Sequence, residues 1–240
     1  MSTPSVEDYV KAIYKASIES GEVTTQDIAT RVGVSAPAVS KMLRRLTLLN
    51  LVTHTPYLGV QLTPAGQKVA LEIVRHHRLL ELYLVQALGY SWDTVHDEAE
   101  RLEHHISEEF EQKIDALLGF PTTCPHGEPI PTREGVVTTY PDQPLAKQTA
   151  PANLKIRRVS DSDSSLLRHL KNLGVLPGAT VELIEKEPFG GALVLNMGDS
   201  TVRISLMAAE QIFVSPLEIE SDVPLTIPAP SIECISEEQV

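Results

Sequence analysis

The chain has little cysteine, no long apolar run and fewer basic than acidic residues. Its 240 residues include two cysteines, Cys124 and Cys234. Two cysteines this far apart cannot form a disulfide framework or a Cys-x-x-Cys metal site. No apolar run reaches the roughly eighteen residues needed to cross a bilayer. The first eight residues lack a basic and apolar signal region. We therefore expect a soluble, cytoplasmic protein with no membrane partner.

The net charge of −12 is distributed unevenly along the chain. Residues 1–72 carry +1, residues 73–140 carry −7 and residues 141–240 carry −6. A basic cluster at residues 41–45 concentrates positive charge in the first of these segments. That segment alone is electrostatically suited to approach a phosphate backbone, so the acidic balance of the whole chain does not exclude nucleic acid.

Two short helices separated by a tight turn are predicted near the N-terminus. Thr24 and Asp27 have the spacing of a capping box that starts one helix, and Gly33 stands where a left-handed residue would end it. Ser35 is placed to cap the next helix, in which Pro37 is tolerated in the first turn. This order is the helix-turn-helix pattern.

Further elements on both sides extend this pattern. Upstream, Ser5 is placed to cap a helix that carries Asp8 in its first turn. Downstream, residues 51–54 and 60–62 predict two strands joined by a loop at 56–59, after which another helix begins. Together these elements predict a winged helix-turn-helix, and a small helical bundle with an incidental hairpin is the alternative.

Metal-binding side chains recur with helical spacing in the acidic segment. His96, Glu100, Glu103 and His104 lie at offsets that share one helix face. We predict one continuous helix from about residue 92 to residue 118. Imidazoles and carboxylates in this number suit a divalent transition metal. Because cysteine is so scarce, we expect nitrogen and oxygen donors to hold the ion.

The preceding predicted helix, residues 65–88, adds a second set of donors. His77 and Glu81 lie four residues apart and would form a two-histidine, one-carboxylate site with His96. The other donors of the first motif, Glu100, Glu103 and His104, would form a separate site that needs a fourth ligand. Asp8 is the most economical candidate, because it completes an oxygen-rich set suited to Mn²⁺ or Fe²⁺.

Simpler interpretations of these residues stay open. The acids of the first motif could form a solvated helix face, and Asp8 could only complement a helix dipole. His76 and His105 point about 100° away from the predicted donor face and are expected at the surface. Cys124 and His126 form an isolated pair in a proline-rich loop, which we interpret as incidental.

The C-terminal half predicts a connector followed by a small β-barrel. Residues 121–151 are rich in proline without sustained periodicity and predict an extended connector, with a linker at 141–152. Residues 153–225 predict a partly open barrel with a short inserted helix at 164–173. The tail, 226–240, is expected to be disordered. Barrel strands are predicted at 155–159, 180–185, 192–195 and 201–204.

Four segments stand out when they are taken together: 7–14, 35–45, 78–81 and 95–104. They resemble the diphtheria toxin repressor family of metal-dependent transcriptional regulators, in its longer three-domain form. The resemblance extends over nearly the whole chain. It implies a mainly α fold with a small β-barrel, comprising a winged helix-turn-helix at 1–72, a helical dimerisation and metal-binding domain at 73–140 and a C-terminal barrel of the Src-homology-3 type.

The resemblance also implies two metal sites. Asp8 and Glu100 stand where iron-responsive members place sulfur ligands, so harder oxygen donors make Mn²⁺ the first choice and Fe²⁺ the second. Lys11 replaces a second acid of the short manganese-responsive members, so we expect separate sites. Asp163, or its neighbour Asp161, is a candidate ligand from the barrel. The implied primary site is Asp8, Glu100, Glu103 and His104, and the ancillary site is His77, Glu81 and His96.

The expected function is a metal-dependent, dimeric repressor of metal-uptake genes that binds a palindromic operator. A non-haem iron or manganese enzyme and a metal-binding adaptor are the alternatives. We expect no enzyme, because the chain has no Glu-x-x-His pairs and no cofactor signature. The apolar residues near 106–118 are expected to form a dimer seam. Residues expected near base edges are Ser35, Pro37, Ala38 and Ser40, and those expected at phosphates are Lys41 and Arg44.

Overall fold

The computed structural model describes residues 4–55, 59–198, 200–217 and 225–227. Helices and strands cover most of these residues, and none of the described helices is long and apolar enough to span a bilayer. The chain divides into two units. Described residues of the first unit fall within Met1–His76 and Pro131–Val136, and those of the second within His77–Ile130 and Val137–Ile227.

The first unit contains the predicted helix-turn-helix and its hairpin. Helices α1 (Pro4–Ser20), α2 (Thr25–Val32) and α3 (Ala36–Leu48) precede the antiparallel strands β1 (Val52–Thr55) and β2 (Gly59–Leu62). The winged helix-turn-helix prediction is confirmed; residues 56–58 of its predicted loop lie outside the described residues. The core of this unit includes the fully buried side chains of Val10, Ile13, Ile28, Val39, Leu43 and Leu46.

The capping residues predicted for the ends of these helices are confirmed only in part. The capping box is confirmed, since Thr24 and Asp27 each accept a hydrogen bond from the other's backbone N–H. Gly33 ends α2 with φ of 71°. Ser5 lies inside α1 rather than capping it, so Asp8 belongs to the second turn. Ser35 occupies the N-cap position of α3 but makes no side-chain capping hydrogen bond.

The helical segment departs from the sequence prediction at one point. Helix α4 (Pro64–Leu88) matches it, but the single helix expected from about 92 to 118 is wrong. Two helices, α5 (Val95–Leu102) and α6 (Glu108–Leu117), take its place. Ser107 starts the second of these, because its hydroxyl accepts a hydrogen bond from the Phe110 N–H. Buried apolar residues of this segment are Leu79, Leu80, Val95, Ala99 and Ile114.

The barrel contains six strands: β4 (Gln143–Pro144), β5 (Ala152–Val159), β6 (Thr180–Lys186), β7 (Leu193–Asn196), β8 (Thr201–Ile204) and β9 (Ile212–Pro216). Helix α7 (Ser164–Asn172) follows β5, and the short α8 (Leu206–Ala209) follows β8. All four predicted strands and the inserted helix are present, whereas β4 and β9 are not among the predicted strands. The six strands form one antiparallel sheet in the order β4-β9-β5-β6-β7-β8, with β4 and β8 at its edges.

Two segments interpreted as connector and tail belong to the folded part of the chain. Residues 143–144 pair with β9, and Leu145 is fully buried in the barrel core, so the linker predicted at 141–152 is wrong. A strand at Leu225–Ile227, β10, pairs with β3 (Val137–Thr139). The predicted disorder is therefore wrong at residues 226–227, and residues 228–240 lie outside the described part of the chain.

Candidate metal centre

Three of the predicted metal-binding residues meet inside the second unit. Helix α4 places His77 and Glu81 one turn apart, with Nε2 of the histidine 3.1 Å from Oε1 of the glutamate. His96, in the first turn of α5, places its Nδ1 3.1 Å from His77 Nε2 and 3.3 Å from Glu81 Oε1. Metal–ligand bonds of about 2.1 Å put neighbouring donors about 3.0–3.5 Å apart. The three donor atoms therefore have the spacing of a coordination shell.

A carboxylate from the barrel joins this group. Asp161 lies two residues beyond β5, and its Oδ2 is 3.3 Å from His96 Nδ1. The donor atoms of His77, Glu81, His96 and Asp161 all lie within 4.8 Å of one another. Asp163 has another role: its carboxylate caps α7 by accepting hydrogen bonds from two backbone N–H groups. Of the two candidate acids from the barrel, the structure brings Asp161 to the group.

The electrostatics of this group fit a cation. Glu81 is fully buried, and burial raises the pKa of its carboxyl. The charge of His77 and hydrogen bonds from three imidazoles oppose burial and hold that pKa well below its ordinary value. For His96, burial lowers the pKa, but hydrogen bonds and charges of Asp161 and Glu81 raise it to about 10. A buried carboxylate needs such positive charge, which a divalent ion also provides.

The structure adds two residues that the sequence interpretation set aside as incidental. His126 is fully buried, and its Nδ1 lies 3.3 Å from Glu81 Oε2 while its Nε2 donates to the Trp92 carbonyl oxygen. Cys124 presents its sulfur within 4.8 Å of the donor atoms of Glu81 and His126. Burial, followed by the charge of Glu81, raises the pKa of this thiol well above its ordinary value. The incidental interpretation is wrong, and a sulfur donor is available.

The second predicted group lies on the other side of the His77 ring. Glu103, buried at the end of α5, places Oε2 2.6 Å from His77 Nδ1 and Oε1 3.5 Å from His104 Nε2. Glu100, half-exposed, places Oε2 3.5 Å from His77 Nδ1. Because α5 ends at Leu102, the four donors of this motif do not share one helix face. Instead, His77 contacts both Glu100 and Glu103, and Glu103 in turn contacts His104.

The remaining predicted residues are placed as follows. Asp8, on α1 of the first unit, is half-buried. His76 is buried, so its assignment to the surface is wrong, whereas His105 is exposed as predicted. On α6, which carries part of the expected dimer seam, Phe110 and Leu117 are 38% and 68% exposed.

The predicted DNA-contacting residues lie on and beside α3. Its buried residues, Val39, Leu43 and Leu46, fix the helix in the first unit. Ser40 is half-buried and donates its hydroxyl to the Ala36 carbonyl oxygen. The other predicted positions, Ser35, Pro37, Ala38, Lys41 and Arg44, are exposed.

Three protein-family models match consecutive segments of the chain. The first describes the iron-dependent repressor N-terminal DNA-binding domain and matches residues 1–60. The second describes the iron-dependent repressor metal-binding and dimerisation domain and matches residues 63–132. The third is the FeoA domain, which matches residues 144–216. These segments correspond to the helix-turn-helix with its hairpin, the helices of the candidate site and the barrel.

The chain is also similar to named transcriptional regulators. The iron-dependent repressor IdeR of Mycobacterium tuberculosis is 32% identical over 212 residues, which is 83% of this chain and 92% of that protein. The transcriptional regulator MntR of Salmonella typhimurium is 43% identical over 122 residues, 51% of this chain and 74% of the regulator. A solved manganese-dependent transcriptional repressor in complex with manganese is 39% identical, with a TM-score of 0.83, and the match covers 88% of this chain and 100% of that one.

Proposed function

This chain belongs to the iron-dependent repressor family, and from that premise we propose that it is a metal-dependent transcriptional repressor. It binds double-stranded DNA as a homodimer, with Mn²⁺ or Fe²⁺ as its cofactor. The observation that carries the proposal is the convergence of His77, Glu81 and His96, with donor atoms 3.1–3.3 Å apart, in the segment that the metal-binding and dimerisation model matches.

The residues present fit a resident divalent ion. We assign His77, Glu81, His96 and Asp161 as the ancillary set, because two imidazoles and two carboxylates form a donor set that Mn²⁺ and Fe²⁺ accept. The ion supplies positive charge that compensates the buried carboxylate of Glu81. Cys124 and His126 offer Glu81 a second set of partners, which includes the softer donor.

A primary, regulatory site completes the proposal. The family resemblance assigns it to Asp8, Glu100, Glu103 and His104, and its oxygen donors favour Mn²⁺ over softer ions. In this proposal, the ion reduces the number of orientations that the DNA-binding domain samples. An ion that bound every orientation equally well would not change DNA affinity, so the switch depends on selective binding to the DNA-competent arrangement.

The exposed positions of α3 supply the proposed DNA contacts. Lys41 and Arg44 would bind phosphates, while Ser35, Pro37 and Ala38 would lie near base edges in the major groove. Few of these side chains can bind a base through two hydrogen bonds, so we expect strong salt dependence and a contribution of DNA shape to specificity. A symmetric dimer predicts a palindromic operator with half-sites about 34–36 Å apart. We propose metal-uptake genes as the targets of the repressor and the cytoplasm as its location.

Gel-shift titration with palindromic DNA tests the proposal directly. We expect tight binding with Mn²⁺ or Fe²⁺ and weak binding with a chelator. Asp8→Ala should lose this metal dependence, while the matched acid substitution Glu22→Ala, on the exposed segment between α1 and α2, should keep it. Equal operator affinity with Mn²⁺ and with chelator would refute the proposal. Oxygen consumption with Fe²⁺ would instead support the enzyme alternative. The adaptor alternative would be supported if the chain bound a partner protein in a metal-dependent way but did not bind DNA.

A further inference from the structure

Arg158, near the end of β5, binds acids from two other segments. Its Nε and Nη2 donate to the two carboxylate oxygens of Asp142 at 2.8 and 3.2 Å. Its Nη1 donates to Glu128 Oε1 at 2.9 Å. The guanidinium also stacks on Phe213, with 3.6 Å between the Arg158 Cζ atom and the ring centroid. A planar guanidinium with this many contacts is restricted to one orientation.

Glu128 extends this network to the helix that carries two of the candidate ligands. Its second oxygen accepts a hydrogen bond from Arg78 Nη2 at 2.9 Å. Arg78 also donates to the Pro129 carbonyl oxygen, and it directly follows His77 in α4. The side chains of Arg78, Glu128 and Arg158 are 11%, 21% and 26% exposed, so solvent screens these ion pairs less than fully exposed ones.

Backbone contacts hold the same loop against β5. The Val159 N–H donates to the His126 carbonyl oxygen at 2.9 Å. Gly127 has φ of +84°, and a Cβ atom there would lie 2.1 Å from the Arg157 carbonyl oxygen. Another residue at this position would force the loop and the strand apart. The loop that carries His126 therefore lies directly on the last residues of β5.

Asp161 follows this fixed stretch of backbone. It is three residues beyond Arg158, a separation that spans at most roughly 10 Å. Fixing the end of β5 therefore limits the positions that the Asp161 carboxylate can reach. His77, Glu81 and His96 belong to α4 and α5, so Asp161 joins them only while β5 keeps its place against the loop at 124–129.

We propose that Arg158 is a positioning residue for the metal site, and that it acts through Asp161. By binding Glu128 and Asp142, it holds the end of β5 where Asp161 faces an ion bound by His77, Glu81 and His96. The inference rests on the proposed function, since it concerns the same ion. A ligand that is already ordered loses less conformational entropy on binding, so its affinity for the ion is higher.

A double-mutant cycle on the full-length protein tests this inference. Arg158→Met, Asp161→Ala and the double variant are titrated with Co²⁺ by visible absorption and with Mn²⁺ by calorimetry. Residues that orient a ligand typically change metal affinity by about 10- to 100-fold, and we expect at least a tenfold loss in Arg158→Met. Its Co²⁺ spectrum should match that of Asp161→Ala. The double variant should bind no more weakly than Asp161→Ala alone, because Arg158 acts through that residue.

Two further variants separate this role from a general effect on the barrel. Arg203→Met removes an arginine that pairs with Glu187 elsewhere on the barrel, and it should bind Co²⁺ as the wild type does. Arg158→Lys keeps the charge but loses the fork of donors, so it should recover only part of the affinity. If Arg158→Met does not fold, Glu128→Gln provides the same test from the other side of the ion pair.

The outcomes are distinct. Wild-type affinity and spectrum in Arg158→Met would overturn the inference, and so would additive losses in the double variant. A wild-type protein that binds neither Co²⁺ nor Mn²⁺ would instead refute the proposed function. A loss of metal affinity in each single variant relative to the wild type, with no further loss in the double variant, supports the positioning role.

Discussion

His77 and Glu103 are in direct contact, with 2.6 Å between Nδ1 of the imidazole and Oε2 of the carboxylate. With Nδ1 donating to this carboxylate, Nε2 is the nitrogen that faces Glu81 and His96 and that would bind an ion between them. One imidazole of the proposed ancillary set therefore contacts an acid of the proposed primary set. The two sites expected to be separate share this contact.

The shared contact predicts that Glu103→Gln weakens metal binding in both sets. The substitution removes a proposed ligand from the primary set, and it removes from the ancillary set the carboxylate that orients His77. We expect the metal affinity of each set to fall by about tenfold or more. Glu100→Gln, whose carboxylate is half-exposed and 3.5 Å from His77, should affect the primary set alone. Calorimetric titration with Mn²⁺ gives the number and affinity of bound ions. A normal ancillary affinity in Glu103→Gln would contradict the prediction.

Glu81→Gln should abolish the stabilisation that the ancillary ion provides. Glu81 contacts His77, His96 and His126, so its loss removes the central negative charge of the group. At a free Mn²⁺ concentration 100 times the Kd, an ion that binds only the folded state adds about 2.7 kcal/mol. Differential scanning calorimetry with and without Mn²⁺ should show this increment in the wild type and in Glu185→Gln, an exposed acid on β6. If Mn²⁺ stabilised Glu81→Gln as much as it stabilises the wild type, Glu81 would be excluded as a ligand of the ancillary ion.

Cys124→Ser should discriminate between soft and hard ions. Soft thiolate ligands favour Cd²⁺, whereas Mn²⁺ prefers oxygen donors. We therefore expect Cd²⁺ binding to the wild type to produce a sulfur-to-metal charge-transfer band in the ultraviolet, and this band should be absent in Cys124→Ser. Mn²⁺ affinity should change little. A wild-type band in the variant would show that Cd²⁺ takes its sulfur elsewhere.

Thr24→Ala should lower the free energy of unfolding of the DNA-binding domain by about 1 kcal/mol, because it removes an N-cap of α2. Hydrogen bonds from Thr24 lower the pKa of Asp27, so this carboxylate stabilises the fold above its ordinary pKa and loses that effect as the pH falls through the lowered value. Urea unfolding at pH 7 and at pH 3 should therefore show a smaller difference between wild type and variant in acid. Thr30→Ala, on the exposed side of α2, is the control.

Lys41→Ala and Arg44→Ala should each weaken operator binding uniformly across sequences. Each lost phosphate contact reduces the slope of log K against log salt concentration by about one. Lys68→Ala, an exposed lysine on α4 in the same unit, should leave the slope unchanged. Fluorescence anisotropy at four salt concentrations measures these slopes, and identical slopes in all three variants would exclude the proposed phosphate contacts.

Much of the candidate site could be predicted from spacing within helices. His77 and Glu81 lie one turn apart, and His96 recurs on the next helix, so periodicity and donor chemistry were sufficient to group them. Cys124 and His126 lie in an irregular loop, where no period relates neighbouring side chains. Asp161 and Asp163 were indistinguishable in the sequence, because their roles depend on where β5 ends and α7 begins.

The sequence by itself determined part of the local structure of this protein. Some features depend on only a few neighbouring residues and can be predicted without the rest of the chain. Examples are the capping box at Thr24, the left-handed Gly33 and the strand patterns. Only the tertiary structure decided how the donors are shared. The contact of His77 with Glu103, the place of His126 beside Glu81 and the network of Arg158 each join residues at least 16 positions apart. Such contacts depend on how helices, loop and barrel pack together, which no local pattern encodes.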